Sequence, residues 1–89
     1  MLEIDLSRQA SKFLEKSHPK HVKQIARKLL ELQQNPFPQD SIKLKGKYSD
    51  FHRTDIGEYR IIYFIKEKTI YVIIIGKRND GHVYKILVR

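Results

Sequence analysis

Cysteine is absent from the 89-residue chain, which removes disulfides, thiolate metal sites and cysteine nucleophiles together and suits a reducing compartment. Long apolar runs are absent too. Nothing approaches the roughly 20 residues that cross a bilayer. The opening Met1-Leu2-Glu3-Ile4-Asp5 carries acids where a signal peptide carries positive charge and an apolar core. These features argue against a secreted disulfide scaffold and a membrane protein, and the expected location is the cytoplasm. Internal repeats, low-complexity tracts and linkers are also missing, so a single domain over residues 1–89 is expected. A domain of this size buries only roughly 60–65% of its unfolded surface. The common catalytic templates do not occur: there is no G-x-S-x-G, no phosphate-cradling Gly-rich loop and no H-E-x-x-H. His18 and His21 stand three apart but straddle Pro19 with no third ligand nearby, so neither a metal nor a cofactor is expected.

What is abundant is positive charge. Lys and Arg number 18 against 10 Asp and Glu, a net charge of +8, in a chain that is 40% hydrophobic and 31% charged. That composition is globular, and the excess favours a polyanion such as nucleic acid, or an acidic protein. The bases are unevenly spread. Residues 1–40 hold seven bases and five acids, whereas residues 41–89 hold eleven bases and five acids. A lone lysine in this set reads as a solvated surface charge; the clustered C-terminal half reads as a binding face.

The patterning predicts an α+β fold. Leu2-Glu3-Ile4-Asp5-Leu6 alternates like a half-buried strand. Ser7 is placed to cap a helix in which Ala10, Phe13 and Leu14 recur at helical spacing to about Lys16. Ser17-His18-Pro19 breaks it, and Pro19 suits the first turn of a second helix. There Val22, Ile25, Ala26, Leu29, Leu30 and Leu32 form an apolar stripe that ends at Asn35-Pro36-Phe37-Pro38. After Asp40 the period becomes two. Ile42–Lys47 and Asp50–Asp55 are short extended candidates, and Gly57 marks a turn. Tyr59–Ile65 and Thr69–Ile75 then read as central strands joined by Lys66-Glu67-Lys68. A basic turn, Gly76 to Gly81, leads to a tail that fits either a last strand or one helical turn. The expected architecture is β-α-α-β-β-β: an antiparallel twisted sheet with an N-terminal strand and a two-helix hairpin on one face.

Several bases fall where a core favours apolar residues. Arg60 lies inside Tyr59-Arg60-Ile61-Ile62-Tyr63, so one face of a central strand carries a guanidinium. Buried charge without a partner is costly; Arg60 therefore either pairs with Asp55 or Glu58 or opens onto an anion-binding cleft. Arg53 precedes it on the neighbouring strand, Arg78 follows the other central strand, and Tyr84 comes six residues later. Lys43, Lys45 and Lys47 alternate, and an extended segment places all three on one face. His52 and His82 are isolated and read as surface or hydrogen-bonded histidines.

Arg53-Thr-Asp-Ile-Gly57-Glu58-Tyr59-Arg60-Ile-Ile-Tyr63, followed by Gly76-Lys77-Arg78 and Val83-Tyr84, resembles the RelE/ParE superfamily of bacterial and archaeal toxins, over nearly the whole chain. The Gly-Glu-Tyr-Arg-Ile-Ile-Tyr run is specific to the superfamily and shared by its mRNA-cleaving RelE and gyrase-poisoning ParE branches. The RelE branch implies cleavage of mRNA in the ribosomal A site by basic residues and a tyrosine. By position, that resemblance assigns the strand arginine to Arg60, the arginine after the last long strand to Arg78 and the C-terminal tyrosine to Tyr84. One of two RelE lysines aligns with Arg53. The other aligns near Phe51, a departure that leaves its role vacant or filled by His52 or Lys47. Retention of Arg60, Arg78 and Tyr84 leans toward the nuclease.

The resemblance further implies a metal-independent reaction in which the 2′-OH attacks the adjacent phosphate. Guanidinium forks suit phosphate oxygens, and Tyr84 is placed to stack on a base or move a proton. So few conventional bases make acid–base catalysis weak, which explains dependence on a ribosome to orient the substrate. The expected catalytic set is Arg60, Arg78, Tyr84 and Arg53. The expected RNA-binding set is Lys43, Lys45, Lys47, His52, Lys77 and Lys85. Implied partners are the ribosome (30S A site), mRNA and an acidic RelB-like antitoxin, with operator DNA reached only through the antitoxin and no membrane. The alternatives are a ParE-like gyrase inhibitor and an inactive basic domain that binds RNA or protein.

Overall fold

A computed structural model of the chain describes residues 1–79 and 81–88, with the backbone alone for His82. Strand β1 (Glu3–Leu6) leads into helices α1 (Arg8–Lys16) and α2 (Pro19–Gln34). Strands β2 (Ile42–Lys43), β3 (His52–Ile56), β4 (Tyr59–Lys66) and β5 (Thr69–Lys77) follow, and helix α3 (His82–Leu87) closes the chain. The tail is therefore helical.

The Ser7 cap and the Pro19 start are those the sequence suggests, and His18 is a further cap. Ser7 Oγ accepts from the Ala10 amide at 3.1 Å to start α1, and His18 Nδ1 accepts from the Lys20 amide at 3.1 Å before Pro19 opens α2. The five strands run in the order β1-β5-β4-β3-β2. Short turns make β2–β3, β3–β4 and β4–β5 antiparallel, as expected, while β1 pairs with β5 in parallel. No tight turn links β1 to β5, so nothing local dictates their relative direction.

Two apolar layers hold the sheet. On the face covered by α1 and α2 lie Ile25, Leu29 and Leu32 against Tyr59, Ile61, Tyr63, Ile70, Val72 and Ile75. Full burial of each aliphatic side chain contributes about 1.5–3 kcal/mol. On the other face Ile62 and Ile74 meet Val83 of α3. The β4–β5 register slips between Ile62 and Tyr63, which pair with Ile74 and Val72 and leave Ile73 as the extra residue of a bulge.

That bulge sets the position of everything after it. Before it, the even residues Ile70 and Val72 face the helical hairpin; after it, the odd Ile75 does. Alternation is thereby inverted, so Gly76, opposite Arg60, and then Arg78 come to the α3 side. The backbone freed at the bulge is satisfied by α1 and its cap. Ser7 Oγ donates to the Ile73 carbonyl at 2.6 Å. The Gln9 amide both donates to the Ile75 carbonyl and accepts from the Ile75 N–H, each at 2.9 Å.

The segment after β2 departs from expectation. Extended structure stops at Lys43, and Gly46–Tyr48 forms a 3₁₀ turn that Gly46 enters at φ +67°. The strict alternation that would align Lys43, Lys45 and Lys47 is broken there.

Candidate active site

Arg60 and Asp55 are cross-strand partners in the β3–β4 hairpin. The hairpin turns at Gly57-Glu58, where Gly57 has φ +58°, a conformation that favours glycine. Thr54, between Arg53 and Asp55, points to the helical hairpin and donates its hydroxyl to Asp40 at 3.0 Å. Asp55 and Arg53 therefore share the face of Arg60. Asp55 accepts from Arg60 Nε at 2.7 Å and from Nη2 at 3.1 Å, the fork geometry that matches a carboxylate. Arg78 Nη1 approaches the same carboxylate to 3.5 Å. Arg60 Nη1 donates to the Tyr84 hydroxyl at 2.9 Å, across 24 positions of sequence.

Two elements aim these groups. The Arg78 amide donates to the Glu58 carbonyl at 3.0 Å, which ties the end of β5 to the β3–β4 turn. Val83, fully buried against Ile62 and Ile74, anchors α3 on the sheet and directs Tyr84 to Arg60. The Arg60 side chain is only 15% exposed and that of Asp55 28%, whereas Arg78 is 46% exposed. Hydrogen bonding from Arg60 holds the Asp55 carboxyl below its ordinary value against the opposing effect of burial, helped by the charges of Arg60, Arg53 and Arg78. Arg60 is raised in turn, first by the Asp55 hydrogen bond. The ensemble is a carboxylate-tied pair of guanidiniums with a phenol on one of them, open on the Arg78 side. Such a group can bind a phosphate and stabilise added negative charge on it.

Four expected site residues, Arg60, Arg78, Tyr84 and Arg53, thus lie on one face. The remaining basic residues are dispersed. Lys43 and His52 are paired across strands, and His52 pairs onward with Tyr63, so both face the helical hairpin. The His52 ring lies 4.9 Å from Phe37 and 5.7 Å from Tyr63, away from Arg60, and does not stand in for the missing lysine. Lys77 is registered opposite Tyr59 on that same hairpin side. Lys45 precedes the 3₁₀ turn and is exposed, as is Lys85 on α3. Lys47 lies over the Tyr48 ring at 5.3 Å, and Tyr48 stacks on Phe51 at 6.1 Å. Phe51 itself stacks on Phe64 at 5.6 Å, so an aromatic row occupies the place of the second lysine and Lys47 borders it.

His21 and His18 each have a partner. His21 Nδ1 stands 2.6 Å from the Tyr59 hydroxyl, and His18 caps α2. The expectations for the His82 ring and for Asp80 in the basic turn lie outside the described residues. A groove of about 660 Å³ beside α2 is lined by Lys20, Lys23, Arg27 and Glu58 and lies apart from Arg60 and Tyr84. Sequence reasoning left Asp55 and Glu58 open as partners of Arg60, and it missed the contact of Asp55 with Arg78 and the Gln9 clamp. The first was legible, since a two-residue turn at Gly57-Glu58 sets Asp55 opposite Arg60 and brings the end of β5 alongside.

Residues 4–81 match the family model described as the ParE toxin of the type II toxin-antitoxin system, parDE. The chain belongs to the ParE toxin family. It is a type II toxin-antitoxin toxin of RelE/ParE type. Among solved structures, the isolated E. coli RelE toxin is similar at 28% identity, with a TM-score of 0.75 and coverage of 99% of this chain and 96% of that one. The archaeal RelE–RelB complex from Pyrococcus horikoshii is similar at 26% identity, with a TM-score of 0.76 over 89% of this chain and 97% of that one. The RelBE2 toxin-antitoxin complex from Mycobacterium tuberculosis shares the fold, with a TM-score of 0.76 at 18% identity over 86% and 98%. Two of these relatives are complexes with antitoxins. A search of curated protein sequences finds no match. Among the described residues, no helix is long and apolar enough to cross a membrane.

Proposed function

We propose that this ParE-family toxin is a ribosome-dependent mRNA endonuclease that stops translation in the cytoplasm. One observation carries the reading: Arg60 donates to Tyr84 while sharing Asp55 with Arg78. Three of the four residues that the RelE resemblance makes catalytic are thereby linked through hydrogen bonds and a shared carboxylate, with Arg53 on the same face. In the proposed reaction the 2′-OH loses its proton and attacks the adjacent phosphorus. The bond from phosphorus to the 5′ oxygen breaks, and that oxygen takes up a proton. The products are a 2′,3′-cyclic phosphate and a 5′-OH. Arg60 and Arg78 stabilise the added phosphate charge, and Tyr84, the phenol on the Arg60 guanidinium, moves a proton. The ribosome supplies orientation, which for aligned reactants is worth about 7–11 kcal/mol.

An acidic RelB-like antitoxin is the proposed partner, matched to the net charge of +8 and to the antitoxin-bound relatives. Operator DNA is reached only through that antitoxin.

The second reading is inhibition of DNA gyrase. The matched family model favours it, and so does Phe51 in place of a lysine. Expression in cells separates the two. The nuclease reading expects protein synthesis to stop first, with mRNAs cut at codon-specific positions. Arrest of DNA synthesis with an SOS response and intact mRNA would overturn it.

A further inference from the structure

Asp55 stands in the middle of the cationic cluster, where a nuclease gains no affinity from a negative charge. Its carboxylate takes Nε and Nη2 of Arg60 and faces Nη1 of Arg78. With Nη1 also donating to Tyr84, three of the five N–H groups of Arg60 are engaged, and one remains on each Nη nitrogen. Those two N–H groups are the ones left for a phosphate. The carboxylate and the substrate thus occupy different edges of one guanidinium and do not exclude each other.

We propose that Asp55 is a positioning residue for RNA cleavage: it fixes the Arg60 guanidinium so that its remaining Nη–H groups and the attached Tyr84 hydroxyl meet the scissile phosphate. The inference rests on the nuclease reading above. The long arginine side chain has ample rotamer freedom, and this one is restrained by the fork to Asp55, by the bond to Tyr84 and contact with its ring, and by part-burial. A cation held in place stabilises the charge that develops in the transition state without reorganising. Asp55 meanwhile offsets part of the local positive charge, so it weakens ground-state attraction for RNA. Positioning and affinity then move in opposite directions when the carboxylate is lost, a signature that a purely structural ion pair does not produce.

The test is single-turnover cleavage of mRNA on programmed ribosomes, with rate constant and half-saturating concentration measured separately. For Asp55→Asn, which keeps the shape and one carbonyl acceptor, the maximal rate should fall about 10-fold or more while half-saturation stays constant or improves. Asp55→Glu, which keeps the charge, should lose less than Asp55→Asn. In the Arg60→Ala background, Asp55→Asn should add no further loss, because Asp55 acts through Arg60. Melting curves identify folded variants, and Asp55→Glu serves if Asp55→Asn unfolds. A wild type that cuts, with both folded Asp55 variants cutting at its rate, overturns this inference alone. Additive losses in the double variant also overturn it. A wild type that leaves mRNA intact on ribosomes overturns the nuclease reading, and the positioning role falls with it.

Discussion

Arg60 on a central strand and Tyr84 on the last helix are joined by a 2.9 Å hydrogen bond from guanidinium to phenol. That bond ties the α3 helix to the sheet and puts a cation on the hydroxyl that moves a proton in the proposed reaction. Tyr84→Phe keeps the ring and removes the hydroxyl. Cleavage on ribosomes should fall by about 10², with little change in RNA affinity. A rate near that of the wild type would leave base stacking as the role of Tyr84.

Placement of Arg78 depends on the bulge at Ile73 and hence on Gln9, whose amide satisfies both backbone groups of Ile75. Gln9→Leu leaves that N–H and C=O unpaired, which costs about 1–3 kcal/mol. In a domain of this size the melting temperature should drop by roughly 4–8 °C per kcal/mol. Cleavage should fall in the folded variant as well, although Gln9 sits on the opposite side of the sheet from Tyr84. Unchanged stability would mean that the bulge holds without its clamp.

At Gly57 a Cβ would lie 2.5 Å from Gln24 Nε2, and the backbone has φ +58°. Gly57→Ala therefore meets an unfavourable conformation and has to displace the flexible end of Gln24. It should destabilise by about 1–2 kcal/mol, measured by chemical denaturation, and it should shift Arg60 because the turn sets the register of Asp55 against it. Gly46, at φ +67° with open space around it, is the control: Ala there meets only the conformational cost of about 1 kcal/mol.

Stability should weaken on acidification in two stages. Burial, then the charge of Lys43, lowers His52 from its ordinary 6.5. The unfolded chain accepts that proton more readily than the folded one. The His52 contribution is therefore full above 6.5 and is lost as the pH falls through the lowered folded value. The Asp55 carboxyl, held below 3.8 chiefly by Arg60, contributes fully above 3.8 and loses its contribution as the pH falls through its depressed value. Melting temperatures measured from about pH 7 to about pH 3 should show both stages. His52→Phe should flatten the first alone; an unchanged first stage in that variant would show that another group titrates there.

Much of the fold was legible because its signals are local. The apolar stripe of α2, the Ser7 cap, Pro19 and the β-branched runs of β4 and β5 each follow from neighbours in sequence. Arg60 is legible as a charge in an apolar strand, with Asp55 or Glu58 as the partners the sequence offers, and the register of the β3–β4 hairpin selects Asp55. The bulge at Ile73 was not legible, since it depends on Ser7 and Gln9, both 66 positions from the groups they satisfy. Nor was the parallel pairing of β1 with β5. The lysine row failed for a related reason: alternation was extended through Gly46, where the backbone turns at φ +67°. Its members then parted, Lys43 to the hairpin side and Lys47 onto Tyr48.

If Arg60, Arg78 and Tyr84 cut RNA together, as proposed, the chemistry of the cut ends records it. Purified toxin is added to ribosomes programmed with a defined mRNA, and the new ends are mapped and identified. The wild type should leave a 2′,3′-cyclic phosphate and a 5′-OH at an A-site codon. Arg60→Ala, folded by its melting curve, should cut about 10²–10³ times more slowly. Intact mRNA with the wild type, or equal cutting by folded Arg60→Ala, would contradict it.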